Sequence, residues 1–291
     1  MLSDLFSIIA PVFICGGVGF AWTKLGNSYD VDLVTSLVTN VGVPCLVFYS
    51  LTNTDLNPKV FGSMAFTSLA AIATCGLMSG LVLSAFRLDK RTFLSPLMFS
   101  NCGNMGLPLC MLAFGEPGLV LAIVFFTISA IAQFTIGIMI TSGTLSLAGL
   151  VKIPILYAVA LAVLFMFLNI EPLDFITNTT RILGGMSIPL MLITLGVSLV
   201  QLRVAALPRS TVLSVLRLVL GFGVGVGLTK LLGIKGLEQG VLIVQSAMPV
   251  AVFNYLFAQR YKRAPEEVAG MVAISTAISF ITLPALLWYV L

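Results

Sequence analysis

Phe99-Ser100-Asn101-Cys102-Gly103-Asn104-Met105-Gly106-Leu107-Pro108 is the stretch on which the reading of the chain turns. It lies inside an apolar segment from about residue 93 to 114, long enough to cross a bilayer, yet two Asn, two Gly and a Pro occupy its middle. A backbone group left unsatisfied in lipid costs several kcal/mol, so a break at mid-membrane must face protein or a water-filled cavity. Two readings remain open for this segment alone. It is a Pro-kinked helix whose amides satisfy neighbouring helices, or a discontinuous helix with a polar breakpoint of the kind transporters use to hold substrate.

A second segment favours the discontinuous helix. Between about residues 237 and 260 the chain reads Gln245-Ser246-Ala247-Met248-Pro249-Val250-Ala251-Val252-Phe253-Asn254, apolar on both sides and interrupted in the middle. Aligning Ser100 with Ser246 sets Gly103 against Pro249 and Pro108 against Asn254, with Pro108 and Pro249 as the expected helix breaks. Paired interrupted spans in corresponding positions of two halves are the best sequence pointer to a transporter's site.

Composition bounds the class. Of 291 residues, 59% are hydrophobic and 9% charged, with a mean hydropathy of +1.12. A water-soluble exterior cannot be built from this, so the chain is an integral membrane protein with the lipid bilayer as partner. The net charge of +4 is dispersed over loops, which argues against a nucleic-acid partner. Histidine is absent, which removes imidazole metal ligands and His proton relays. The five cysteines (Cys15, Cys45, Cys75, Cys102, Cys110) lie in apolar segments without CxxC spacing and read as small buried residues. No metal and no cofactor is expected. Asp4 precedes the first apolar run and Lys24 follows it, which favours a retained first span with its N-terminus outside.

Apolar runs of about 20 residues predict an all-α membrane protein of ten transmembrane helices. The first five cover about 5 to 23, 31 to 52, 60 to 86, 93 to 115 and 118 to 142. The second five cover about 150 to 169, 178 to 200, 210 to 233, 237 to 260 and 267 to 290. A boundary near Gly143 to Gly149 divides the chain into repeats 1–146 and 147–291. Pro11 and Pro154, Pro44 and Pro189, and the two interrupted spans recur in the same order at nearly the same spacing. Lys and Arg in the loops after odd-numbered spans outnumber those opposite, which puts the odd loops in the cytoplasm and both termini outside a cell (cytoplasmic or inner) membrane. Five spans per repeat is odd, so the two repeats are inverted, the arrangement that supports alternating access.

Where a broken helix restarts, its first N–H groups lack partners and its dipole presents about half a positive charge. Two restarts, near Asn104 to Gly106 and near Val250 to Val252, would suit an anion, above all a carboxylate. Asn101, Asn104, Gln245 and Asn254 could add hydrogen bonds, Gly103 and Gly106 would admit a ligand close to backbone, and Pro249 marks the second break. Each amide has a competing role as a helix-to-helix hydrogen bond worth about 0.6 kcal/mol. In the fifth and tenth spans Thr127, Ser129, Gln133, Ser275, Thr276 and Ser279 are neighbours of the site, and such hydroxyls commonly bond their own backbone. None of the eleven Asp and Glu lies near a span centre, which disfavours proton or sodium coupling through an intramembrane carboxylate. Arg217, two turns into the eighth span, reads as a side chain that snorkels to the cytoplasmic interface, the alternative being one that attracts anions towards the inner vestibule. Val43, Met105 and Phe253 are candidates for apolar lining.

The Asn-x-x-Asn-x-Gly-x-Pro-Leu run with Phe114-Gly115-Glu116, Ser187-Ile188-Pro189-Leu190 leading into Thr194-Leu195-Gly196-Val197-Ser198-Leu199, and the Ala-Met-Pro and Ser-Thr pairs of the last two spans resemble the auxin efflux carrier family. That family includes plant auxin carriers and bacterial permeases for malonate, malate and similar anions. The resemblance implies a ten-helix fold shared with the bile acid:sodium symporters. It also implies a scaffold of spans 1, 2, 6 and 7, a core of spans 3 to 5 and 8 to 10, and a carboxylate held by Asn101, Asn104 and Gln133. Cys102 stands where the plant carriers have Pro, and Gln245 stands near where sodium-coupled relatives carry Glu.

The expected function is a secondary transporter of small organic anions working by elevator-type motion, not an enzyme, with a homodimer left open. The alternatives are a sodium-coupled symporter of the bile-acid type and a membrane sensor that binds an anion without moving it.

Overall fold

The computed structural model describes residues 2–54, 58–144, 153–168, 170–201 and 207–291. Among them the secondary structure is helical, apart from one isolated bridge between Ser100 and Val250. The expected boundary near Gly143 to Gly149, and with it the division into 1–146 and 147–291, falls largely outside the described residues, as do Lys152 and Arg203 from the charge count.

The chain opens with α1 (Leu2–Lys24), then α2 (Val31–Leu37) and α3 (Val43–Thr52), joined through a widened π turn at Val38–Gly42. Pro44 has no N–H to give Asn40, and the wide turn absorbs the missing bond. Next come α4 (Pro58–Ala85) and the short α5 (Lys90–Met98), followed by a π turn at Cys102–Gly106 and α6 (Leu107–Ala132). A further π turn, Gln133–Gly137, leads to α7 (Ile138–Ser142). The second half comprises α8 (Pro154–Leu168), α9 (Asp174–Gly185), α10 (Ser187–Gln201), α11 (Leu207–Leu231), α12 (Gly236–Ala247), α13 (Phe253–Arg260) and α14 (Pro265–Val290).

Seven stretches of these helices are long and apolar enough to cross a membrane, and Pro154–Met166 is a shorter apolar helix. The difference from ten has local causes. Cys102–Ser142 runs as one stretch of 41 residues, but Gly115 inside it has φ 68° and ψ −162°. That left-handed backbone is open to glycine and strained for other residues, and with Pro117 two positions on it turns the chain within α6. The expected fourth and ninth spans are divided: α5 has nine residues, α12 twelve and α13 eight. At 1.5 Å per residue each is shorter than a hydrocarbon core of about 30 Å.

Two sets of helices pack closely within themselves. In one, α1 lies along α10 with backbones in contact, because Gly19 sits on the Ile193 carbonyl and Gly196 on the Gly16 carbonyl. In the same set α3 packs on α8 and α9, with Gly184 on the backbone of Leu46. In the other, α4 packs on α5, α6 and α11, and α11 on α12 and α14. Small residues set these approaches, as expected where lipid supplies no hydrophobic drive between helices. Asp89 caps α5, accepting from the Arg91 amide at 3.1 Å and from Thr92 Oγ1 at 2.6 Å. Burial works to raise the Asp89 pKa, but these bonds and nearby Arg263 outweigh it and hold the carboxyl below its ordinary value.

The glycine contacts give opposite expectations for two neighbours in sequence type. Gly196→Ala pushes a methyl into the Gly16 carbonyl and should lower the melting temperature of the purified protein, at a cost of about 1–3 kcal/mol. Gly17→Ala meets nothing within 4 Å and should leave stability unchanged or raise it by up to about 1 kcal/mol through helix propensity. Equal melting shifts for the two would contradict this packing.

Candidate functional site

Residues 99–101 and 248–252 interrupt two membrane segments, and the two interruptions are bonded to each other. The Asn101 amide donates to the Pro249 carbonyl at 2.7 Å, and the Ala251 amide to the Phe99 carbonyl at 3.2 Å. This is the antiparallel bridge of Ser100 with Val250. The Val250 amide, within the same break, donates to Ser275 Oγ on α14 at 3.1 Å. Backbone groups that left their helices are therefore paired with protein, as the apolar surroundings demand. The alignment of Ser100 with Ser246 marks corresponding positions of the two segments, whereas the bridge joins Ser100 to Val250.

Side chains reinforce the crossing. Ser95 Oγ on α5 donates to Asn254 Oδ1 on α13 at 2.7 Å, and Asn254 Nδ2 donates to the Ala251 carbonyl at 3.1 Å. Arg217 on α11 is only 1% exposed. Its Nη1 donates to the Leu97 carbonyl at 3.2 Å and its Nη2 to the Ser246 carbonyl at 2.8 Å. Those carbonyls belong to the last turns of α5 and α12, so one guanidinium joins the ends of both half-helices. Snorkelling is thus corrected: the side chain turns inward, because Gly221 and Gly225 bring α11 against the backbone of Ser246 and Ile243.

Beside the crossing lies a cavity of about 410 Å³, within the usual size of small-molecule sites. One wall comes from the loop after α1, the start of α2 and from α10: Tyr29, Asp30, Asp32, Thr35, Thr194 and Ser198. The opposite wall comes from the crossing: Asn104 in the π turn, and Val252, Phe253, Tyr255, Leu256 and Gln259 from the start and body of α13. Tyr29 Oη and Thr194 Oγ1 share a hydrogen bond of 2.7 Å. The Asp30 carboxylate accepts the Leu33 amide at 2.9 Å and caps α2.

Of the residues singled out from sequence, Asn104 lines this cavity, and Phe253 does so as apolar lining. Asn101 and Gln133 are buried, and Asn101 Nδ2 and Gln133 Nε2 each lack a hydrogen-bond partner. Pro249 serves the crossing through its carbonyl, and Asn254 through its side chain. Gly103 packs under the Phe126 ring. Gly106 packs against the Gln245 carboxamide, whose Nε2 reaches the Ala122 carbonyl at 3.5 Å. Pro108 stands in the first turn of α6, after the break at 99–101, and its missing N–H cannot bond the Asn104 carbonyl. Thr127 and Ser279 bond backbone carbonyls of their own helices at 2.8 and 2.7 Å. Val43 and Met105 belong to the buried core.

Sequence reasoning gave no site role to Tyr29, Asp30, Asp32, Thr194 and Ser198, and it did not place Arg217 at the crossing. Thr194 and Ser198 fall four apart on one helical face, a signal that was readable. Tyr29 and Asp30 in the loop and Asp32 in the first turn of α2 carried no such signal, because nothing local says which loop lies over a cavity.

An all-helical bundle whose two interrupted members cross at their breaks beside a polar cavity is a multi-pass membrane protein organised around that crossing. The chain matches the family described as Membrane transport protein over residues 5–147 and 138–289, and it belongs to that family. The match agrees with the resemblance to auxin efflux carriers. An uncharacterized transporter of Methanothermobacter thermautotrophicus is 26% identical over 299 residues, covering 97% of this chain and 96% of its own length. An uncharacterized transporter of Methanocaldococcus jannaschii is 25% identical over 283 residues, covering 89% of each. Family and relatives together make this a transporter.

The contact of Gly106 with Gln245 can be tested by a double-mutant cycle. Gly106→Ala forces a methyl onto the carboxamide and should lower thermal stability by about 1–3 kcal/mol. In a Gln245→Ala background the same change should cost less by at least about 0.5 kcal/mol, the coupling expected of residues in contact. Strict additivity of the two melting shifts would place Gln245 elsewhere.

Proposed function

We propose that the protein is a secondary carrier of small organic carboxylates, with the substrate carboxylate held between Asn104 and the N-terminal end of α13. The observation that carries this reading is the cavity wall itself: the Asn104 amide and the start of a helix face the same space at Val252 and Phe253. A helix N-terminus presents N–H groups and partial positive charge, which suit an anion. Asn101 and Gln133, with buried donors that lack partners, are held in reserve for a ligand that reaches deeper.

The proposal includes ten spans arranged as two inverted repeats, the two crossing segments being the fourth and ninth. The two packing sets support a scaffold of spans 1, 2, 6 and 7 and a core of spans 3 to 5 and 8 to 10. The cavity lies between members of the two sets, so a substrate would touch both, and sliding of one against the other would carry it in an elevator-type cycle. The cavity is lined by the loop after α1 and by Gln259 near the end of α13. Both belong to the side assigned to the cytoplasm by positive charge, with the termini opposite, so this conformation faces inward. The bile-acid-type superfamily placement belongs to the same proposal.

Asp30 and Asp32 give the α2 end of the cavity negative charge. A second carboxylate on the substrate would meet like charge there, so monocarboxylates should bind better than dicarboxylates such as malonate and malate.

The test is a thermal-shift screen of mono- and dicarboxylates on the purified protein and on Asn104→Ala, followed by counterflow of the labelled hit in liposomes. A ligand at a hundred times its dissociation constant adds about 2.7 kcal/mol. Stabilisation by a monocarboxylate that is lost in Asn104→Ala, together with counterflow, is the expected outcome. Stabilisation without counterflow would replace the carrier by a sensor. An effect indifferent to Asn104→Ala would move the site.

A further inference from the structure

We infer that Arg217 is a resident cation of the crossing, standing where an ion-coupled carrier would need a bound inorganic cation, so that transport by this protein is independent of sodium. The inference rests on the carrier reading only for the word transport; the electrostatics of the crossing stand apart from it.

When α5 stops at Met98 and α12 stops at Ala247, each exposes terminal carbonyls and about half a negative charge. The two breaks are bonded together, so the two negative ends converge in an apolar interior. The positive ends of the two restarts lie toward the cavity at Asn104 and Val252, whereas the Leu97 and Ser246 carbonyls face α11, where one positive group can meet both. Arg217 supplies it, with Nη2 at 2.8 Å from the Ser246 carbonyl and Nη1 at 3.2 Å from the Leu97 carbonyl. Nη1 also lies 3.8 Å from Cys75 Sγ on α4. A guanidinium stays charged in proteins and presents its donors in a fixed fork, which fits two carbonyls from different chain ends.

The placement is built rather than incidental. Ser210, Ser214, Arg217, Gly221 and Gly225 are buried on one face of α11. Ser214 Oγ donates to the Met271 carbonyl of α14 at 3.1 Å, and a Cβ on Gly221 would strike the Ser246 carbonyl. That face seats α11 so closely on α12 that the guanidinium reaches both ends. Mid-span carboxylates, the usual ligands of a coupling ion, are absent from the sequence. An intramembrane charge is costly and persists where it has a role. Here the carbonyls that could have ligated a cation are already occupied by one that belongs to the chain.

The full-length protein, Arg217→Gln and Arg217→Lys are melted in sodium chloride and in choline chloride at equal ionic strength, with methylguanidinium as a further addition. Wild type and Arg217→Lys should melt alike in both salts. Arg217→Gln should melt lower in choline and shift upward with sodium or with methylguanidinium, because its carbonyls are again open to a free cation. A sodium-induced upward shift of wild type, or an Arg217→Gln that melts like wild type in every salt, would overturn the inference. Should Arg217→Gln fail to fold, wild type and Arg217→Lys decide: indifference of both supports it, and sodium stabilisation of either overturns it. Loss of carboxylate binding in the screen above, with this salt pattern intact, would remove the carrier reading and leave the resident cation standing.

Discussion

A membrane interior offers backbone polar groups no water, and the structure depends on how that constraint is met at two places where helices stop. Phe99, Asn101, Pro249 and Ala251 lose helical partners and find each other, two hydrogen bonds closing a bridge between segments about 150 positions apart. Neither break is tolerable without the other. The pairing brings much else together: α5 and α12 end at the same place, α13 starts beside the π turn that carries Asn104, and the Arg217 guanidinium bonds a terminal carbonyl of each ending helix.

The interruptions themselves were legible in the sequence because Asn, Gly and Pro are conspicuous in an apolar run. Membrane character, helical class and the two breaks follow from composition and punctuation. Which residues of the two breaks bond to each other was not legible, because register is set by which carbonyl is left unpaired, and that depends on where each helix stops. Pro108 looked like a breaker, yet the chain is helical on both sides of it, and the π turn at Cys102–Gly106 accommodates the hydrogen bond it cannot make. Gln245 is buried against Gly106, with Nε2 at 3.5 Å from the Ala122 carbonyl and Oε1 without a hydrogen-bond partner, a setting that its local sequence does not show. Such distinctions depend on the partner helix, which local sequence does not encode.

Arg217 shows the same limit from the other side. A cation two turns inside a span has two ways to avoid bare lipid: it reaches outward to the interface or inward to carbonyls. Flexible stem length alone favours neither. The choice is made by Gly221 and Gly225, which remove the side chains that would otherwise hold α11 away from α12. The spacing Arg217, Gly221, Gly225 places all three on one face, so the inward answer was present in the sequence as a pattern of small residues below a charge.

These interactions fall into two groups on either side of the cavity. Within the crossing, Asn101, Ser95, Asn254, Ser275 and Arg217 tie α5, α12, α13, α14 and α11 to one another through buried bonds that no solvent can replace. Across the cavity, Gly16, Gly19 and Gly196 lock α1 to α10 through backbone contact, and Tyr29 ties the following loop to Thr194. Strong ties lie inside each group, while the wall formed by Asn104, Val252 and Phe253 faces the wall formed by Thr194 and Ser198 across open space. In the proposed carrier cycle a ligand that fills that space would touch both walls, and its free energy of binding would be available to fix their relative position. On that proposal the walls of the cavity would govern binding, while the buried bonds of the crossing hold the two broken segments together.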